Sequence, residues 1–433
     1  MTSAMPPVTP PAMSSAMTVA SHVRSDRLQA DIDTLATITD PARPHTRRSF
    51  SPRFLEGREW LAARFQQAGL STRMDEAGNL IGRRAGTVPG RGTIMSGSHS
   101  DTVPDGGRFD GILGVLAALE VARAFDDAGI SLCHDLEIVD FLAEEPSDFG
   151  LSCIGSRGMA GALSAEHRAL RAPWDENLAA ALTRMGGNAS LLDTPRRTDI
   201  RAFFELHIEQ GIVLESEQVQ IGVVDAIAGV TRLEIVFSGR ADHAGTTPMD
   251  LRRDAAVPAA AIIGFVHERA SALARAGGGH VTATCGVLEL SPGASNVIPR
   301  AARLVVDIRV SERAVAEDLV AAIRTASEDA ARASRTTLSR FAIQSDTSPT
   351  PCDPALAGLV ETAARTQGFS TRHMVSGAGH DAAFVARLAP MAMIFVPCRD
   401  GRSHDPEEWC TAEDAARGTM VLAGAMELCD RKD

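Results

Sequence analysis

Histidines and carboxylates gather in a few short stretches of this 433-residue chain. GSHSDTVPDGGRFDG supplies His99, Asp101 and Asp110, FLAEE supplies Glu144 and Glu145, ELHIEQG supplies His207, and GRSHDPEEW supplies His404. Each follows an apolar run of strand character. In an open parallel sheet, ligands bind beyond the carboxyl ends of the strands, so an active site is expected at these residues. Neutral imidazoles and carboxylates suit Zn2+ and also Mn2+, Co2+ or Ni2+, and the spacing does not choose among them. Plainer uses exist for each residue taken singly. A lone histidine is more often a surface or satisfied core group. Asp110 before Gly111 suits a helix N-cap, Asp101 a turn, and Glu145 a solvated strand end. The conjunction of the stretches favours a metal centre. The adjacent acids Glu144 and Glu145 repel each other, and nearby cations would let both stay ionised.

Regular elements must hold these groups. Arg53 to Gly69 reads as an amphipathic helix, with Phe54, Leu61 and Phe65 on its apolar side. Residues 93–98 predict a strand, Gly111 to Gly129 a helix, Leu136 to Leu142 a strand and Arg201 to Leu206 another. This alternation predicts an α/β domain with a mostly parallel sheet. Composition shifts near residue 226. Strands over Val230 to Ser238, 281–290 and 301–310 then mix with helices over Ala255 to Ala276 and Glu312 to Ala333. That β-α-β-β-α order predicts a small α+β, ferredoxin-like domain with two helices on one face. The α/β pattern resumes after about 345, with Met391 to Val396 as a buried strand. The expected organisation is a tail over 1–25, a catalytic domain from 26–226 and 340–433, and an inserted lid or dimerisation domain over 227–339.

Bulk properties exclude several roles. The net charge of −12, without a long Lys/Arg cluster, argues against nucleic acid as partner. No run approaches the ~20 apolar residues that span a bilayer. The Pro/Ser/Thr/Ala/Met-rich start lacks the basic, compact apolar form of a secretory signal and reads as a disordered tail. Seven cysteines, an odd count without a CxxC pair, suggest reduced thiols and a cytoplasmic protein.

With GSRGMAG, GRADHAGTTPM, SNVIP and SGAGHDA added to the stretches above, the sequence resembles the dinuclear metal amidohydrolases of the peptidase M20 type from about residue 26 to 430. The resemblance is closest to the hydantoinase/carbamoylase branch, which contains N-carbamoyl-L-amino-acid hydrolases, β-ureidopropionases and allantoate amidohydrolases. It implies two divalent ions per subunit, Zn2+ first. His99 and His207 would hold mainly one ion, Glu145 and His404 the other, with Asp110 between. Glu144 would be the general base. Asp101 would accept the free imidazole N–H of a ligating ring. His243 would help bind the carbonyl oxygen from the partner subunit of a homodimer. Asn296 and Arg309 would clamp the substrate α-carboxylate, in the same domain, and Gln210 would touch substrate. His380 in SGAGHDA reads as structural rather than as a ligand.

The implied activity is hydrolysis of an N-carbamoyl or related ureido L-amino acid. An N-acyl-amino-acid amidase or dipeptidase, an allantoate amidohydrolase and a catalytically silent binding protein are the alternatives. One departure stands out. Where the family continues its glutamates as E-E-G-x-R-F, this chain has Pro146 and Asp148 in place of the glycine and arginine. The charge reversal puts substrate identity in question.

Overall fold

A computed structural model describes residues 19–195, 197–277 and 279–432. The chain divides into two compact units. One comprises the chain up to Val223, Cys352–His373 and His380 onward, and the other comprises Val224–Pro351 and Met374–Gly379.

The strands of the first unit before the insertion are Ser71–Met74 (β1), Leu80–Arg84 (β2), Thr93–His99 (β3), Asp135–Phe141 (β4) and Ile200–Ile208 (β5). Ile221–Ile227 (β6) carries the chain into the second unit. There lie Gly229–Ser238 (β7), Val281–Ser291 (β8), Ala301–Val310 (β9) and Thr337–Asp346 (β10). Thr350–Pro351 (β11) and Thr371–Ser376 (β12) lead back, and Met391–Val396 (β13) rejoins the first sheet. The helices used below are Ser25–Thr37 (α1), Pro52–Gln67 (α2), Ile112–Asp127 (α3), Ile154–Met159 (α4), Ala256–Arg275 (α5), Arg313–Ala333 (α6), Pro354–Thr366 (α7) and Ala412–Arg431 (α8).

The first sheet contains the run β1-β2-β4-β3-β5-β13. Its members β4, β3, β5 and β13 are parallel neighbours, and β2 and β1 extend it antiparallel. Every residue of β3 and β13 is buried, as expected for strands covered on both faces. α3, apolar almost all round, is buried along most of its length and joins α1, α7 and α8 in one core. α2 starts where Ser51 accepts the Phe54 N–H and Pro52 fills the first helical turn. The expected mostly parallel α/β architecture is present.

The second unit is an antiparallel sheet, β10-β7-β9-β8. Leu233, Ile235 and Phe237 of β7 and Leu304, Val306 and Ile308 of β9 alternate inward. They pack with Ile262 and Val266 of α5 and Leu319 and Ile323 of α6. Two boundaries differ from the sequence expectation. β10 belongs to this sheet, so the unit continues past residue 339 to Pro351. The tail expected over 1–25 falls mostly on residues 1–18, outside the described residues. Val19–His22 instead forms a 3-10 turn, and Val19 and Val23 are buried in the core. Their apolar side chains gain more by burial than the local polar composition suggests. Among the described residues, no helix is long and apolar enough to cross a membrane.

Candidate metal centre

β4, β3, β5 and β13 each lead into one of the stretches singled out above. His99 ends β3 opposite Phe141, the last residue of β4, and His207 of β5 lies opposite Phe395 of β13. This register brings the two histidines, and the loops bearing Glu144, Glu145 and His404, to the carboxyl edge of the sheet. The rule for ligand sites in parallel sheets is therefore met.

Asp110 is the centre of the arrangement. Its Oδ1 lies 3.2 Å from His207 Nε2 and 3.5 Å from His99 Nε2, whereas its Oδ2 lies 3.2 Å from His404 Nε2. His404 Nε2 is in turn 3.3 Å from Glu145 Oε1. Donor atoms of His99, Asp110 and His207 all fall within 4.8 Å of one another, as do those of Asp110, Glu145 and His404. One carboxylate thus serves two groups of ligand-type atoms. The capping alternative for Asp110 does not hold: Gly111 occupies the N-cap of α3, without a side-chain cap bond. Gly111 is itself required, because its φ is 69° and a Cβ there would stand 2.3 Å from His99 Nε2.

The rings are oriented from behind. His99 Nδ1 faces the Asp101 main-chain carbonyl at 3.0 Å, and His207 Nδ1 faces the Ile208 carbonyl at 2.9 Å. Donation to those carbonyls turns each Nε2 toward Asp110 and its backbone, where His207 Nε2 accepts the Gly111 N–H at 3.1 Å. The Asp101 carboxylate, expected to take the imidazole N–H, is 3.5 Å from His99 Nδ1. It accepts the backbone N–H groups of Glu144 and Glu145 instead, at 3.2 and 3.3 Å.

The two glutamates diverge. Ala143, at φ 55°, turns the chain at the end of β4. Successive N–H groups of Cys153, Ile154 and Gly155 at the start of α4 bond the carbonyls of Glu144, Ala143 and Leu142 at 2.9, 3.0 and 2.7 Å. Glu145 faces His404. Glu144 Oε2 lies 3.7 Å from His99 Nε2, while its Oε1 accepts the Cys153 thiol at 3.3 Å. Cys153 was not singled out from the sequence, because an apolar-looking residue in a glycine-rich stretch carries no polar signal.

The electrostatics test whether cations fit. Asp101, Asp110, Glu144 and Glu145 are all buried or nearly so. Among the described residues their ion-pair partners are histidines, with no Arg or Lys in contact. Burial pushes Glu144 well above the usual carboxylate range, against the pull of His99 and with Asp381 and Glu145 adding to it. Hydrogen bonds to Asp110 and Glu145 raise His404 to about 10. Burial opposes protonation of His99, yet its contacts with Asp101 and Asp110 hold it well above its ordinary value. These shifts mark a buried anionic cluster that favours bound positive charge and whose donor set suits divalent cations. Metal use therefore fits the residues present.

Other sequence candidates take varied places. Gln210, in the left-handed region at φ 57°, donates from Nε2 to Asp110 Oδ2 at 2.7 Å. His380 is buried with its ring T-shaped against His207, the centroids 4.7 Å apart. Asp148 is not an unmatched anion. Arg48 pairs with it at 3.0 Å and donates to the Pro146 carbonyl at 2.7 Å. In the second unit, His243 and Asn296 are exposed and brought together by the Ala244 N–H, which bonds the Asn296 carbonyl at 2.9 Å. Arg309, on β9, is held by Asp307 at 2.9 Å and by the Gly377 carbonyl at 2.7 Å.

Comparison with known proteins places the chain in a family. The model of Peptidase family M20/M25/M40 matches residues 95–428. The chain is 37% identical over 419 residues to an N-carbamoyl-L-amino-acid amidohydrolase of Paenarthrobacter aurescens, covering 94% of this chain and 98% of that protein. It is 36% identical over 425 residues to a ureidoglycolate hydrolase of Oryza sativa subsp. japonica, covering 94% and 84%. A crystal structure of an amidase of the hydantoinase/carbamoylase family from Burkholderia multivorans superposes with a TM-score of 0.86 at 35% identity, over 93% of this chain and 97% of that one.

Proposed function

This chain belongs to the peptidase family M20/M25/M40, and we propose that it is a metal-dependent amidohydrolase cleaving the ureido C–N bond of an N-carbamoyl L-amino acid or a related ureido acid. The observation that carries the reading is the division of the Asp110 carboxylate, with His99 and His207 on one oxygen and His404 on the other. His99 and His207 would hold one ion, Glu145 and His404 a second, and Asp110 both. Two divalent ions, Zn2+ ahead of Mn2+, Co2+ or Ni2+, would acidify a water and polarise the scissile carbonyl.

Glu144 removes a proton from the attacking water and returns it to the leaving nitrogen. Its placement between the Cys153 thiol and the His99 side supports that role. Asp101 fixes the backbone of both glutamates, and its carbonyl fixes the His99 ring. His243 donates to the developing negative oxygen. Asn296 and the forked guanidinium of Arg309 take the α-carboxylate, and Gln210 reaches substrate from its position on Asp110. The active form is a homodimer in which His243, Asn296 and Arg309 act across the interface. The absence of disulfides among the cysteines suits a cytoplasmic enzyme.

Water adds across the ureido group, and the products are the amino acid, ammonia and carbon dioxide. A release assay on metal-loaded protein tests this. N-carbamoyl amino acids, N-acyl amino acids, ureidoglycolate and allantoate are each scored for ammonia and free product. Ammonia with amino acid from the carbamoyl compounds is the expected result. Turnover confined to N-acyl substrates would replace the ureido reading, and no turnover of any would favour a silent binding protein.

A further inference from the structure

Glu408 lies in the same loop as His404 and has its own site in the fold. It is 1% exposed, and among the described residues no Arg or Lys pairs with it. Isolating a carboxylate in this way is costly unless hydrogen bonds replace its water. They do. Glu408 Oε1 accepts the backbone N–H groups of Phe109 and Asp110 at 2.8 and 3.0 Å. Its Oε2 receives the Ser403 hydroxyl at 2.8 Å, and the same hydroxyl lies 2.7 Å from Asp110 Oδ2. One buried side chain therefore fastens the main chain of Asp110 to the residue preceding His404. These segments are far apart in sequence and bear ligand-type groups that must meet at Asp110 Oδ2.

The opposing wall is shaped for this acid. A Cβ on Gly107 would stand 1.9 Å from Glu408 Oε1, so any side chain there would expel the carboxylate. The second glycine of PDGGRFD is thereby explained by a group some three hundred positions later in the chain. The nearby glutamate of the proposed mechanism, Glu144, has no part in these bonds.

We infer that Glu408 is a positioning residue that locks the Asp110 segment to the His404 loop and so sets the affinity of the site for divalent metal. The inference rests on the ligand assignment proposed above. Loss of such an outer partner typically weakens metal binding by about 10- to 100-fold. Gln at this position keeps the lock. Its carbonyl still accepts the two backbone N–H groups, its amide donates to Ser403 Oγ, and the hydroxyl proton remains for Asp110.

The experiment is chelator-competition titration of Zn2+ and Mn2+ into wild type, Glu408→Ala, Glu408→Gln, Gly107→Ala and His404→Ala. Thermal midpoints are measured alongside, and kcat and KM at saturating metal. Glu408→Ala and Gly107→Ala should each weaken metal by about 10- to 100-fold, with KM at saturating metal within about twofold of wild type. Glu408→Gln should recover most of the affinity. Wild-type metal affinity in Glu408→Ala, even with a lowered thermal midpoint, would overturn the inference. So would a Gln variant no better than Ala. His404→Ala separates the failures. If it loses metal while Glu408→Ala does not, only this inference falls; if it keeps wild-type affinity, the ligand assignment falls and takes this inference with it.

Discussion

At the scale of single residues, the two adjacent glutamates differ in what they face. Glu144→Gln should retain metal while kcat falls by about 10²- to 10⁴-fold, the usual contribution of a general base. Metal content by mass spectrometry with turnover checks this, and loss of metal would mean that the roles of Glu144 and Glu145 are exchanged. The thiol of Cys153 is a hydrogen-bond donor to the Oε1 that does not face His99. Cys153→Ala should lower kcat about fivefold, the equivalent of ~1 kcal/mol for one hydrogen bond, with KM unchanged. Cys153→Ser should restore most of it, since the hydroxyl keeps a donor. The histidines give a pH signature. His404 sits near 10 because Asp110 and Glu145 stabilise its charged form, so at neutral pH it carries a proton that a metal must displace. Proton competition weakens as pH rises toward that value. Apparent affinity should therefore climb between pH 6 and 9, by about tenfold per unit for each proton released. A profile no shallower in His404→Ala than in wild type would remove His404 from the ligand set.

At the scale of elements, the loop after β4 departs from the E-E-G-x-R-F pattern that the family resemblance implies, and its Asp148 is not left unmatched. Asp148 stands where the resemblance implies an arginine, and Arg48 from the segment before α2 supplies a cation in contact with it. Asp148 is therefore paired rather than left as an unmatched anion. Asp148→Arg alone should set two guanidinium groups together and cost about 1 kcal/mol in urea unfolding, the upper range for a partly exposed pair. Adding Arg48→Asp should recover that loss, and additive losses would show that the pair is not coupled. The partner of Asp148 could not be read locally, because it lies far back in the chain. The same limit hid Glu408, which in a polar loop reads as a solvated acid. Elements with strong apolar periodicity were legible: α2, α3, β3, β4, β7 and β13 lie within a few residues of where alternation placed them. β10 was missed because it is an edge strand with mostly exposed or half-exposed residues, so its pattern lacks a clear inward face. The ligand-type residues were legible for a different reason. Each lies at or beyond the carboxyl end of an apolar strand, and parallel strands bring those ends to one edge whatever their separation in sequence.

At the scale of the whole molecule, the proposed chemistry draws on both units of the chain. His99, Asp110, Glu144, Glu145, His207 and His404 belong to one, and His243, Asn296 and Arg309 to the other. If the second unit serves a neighbouring subunit, each active site is composite, and two inactive variants can repair each other. A dimer of one Glu144→Gln subunit and one His243→Ala subunit would contain one site with both defects. Its other site would join an intact Glu144 to an intact His243. Random exchange makes half of the dimers hybrids with one intact site each, so activity should recover to about a quarter of wild type in a C2 dimer. The exchange itself is verified by differently tagged subunits isolated through both tags, in which half of the sites should turn over. Mixed Glu144→Gln and Glu145→Ala subunits provide the contrast. Both defects then lie in the unit that holds the ligand residues, each site keeps one of them, and no recovery is expected. Recovery in the first mixture alone assigns His243 to the partner. Failure of verified hybrids to recover would return His243 to its own subunit's site, leaving the ligand and base assignments to stand on the metal-content and turnover measurements.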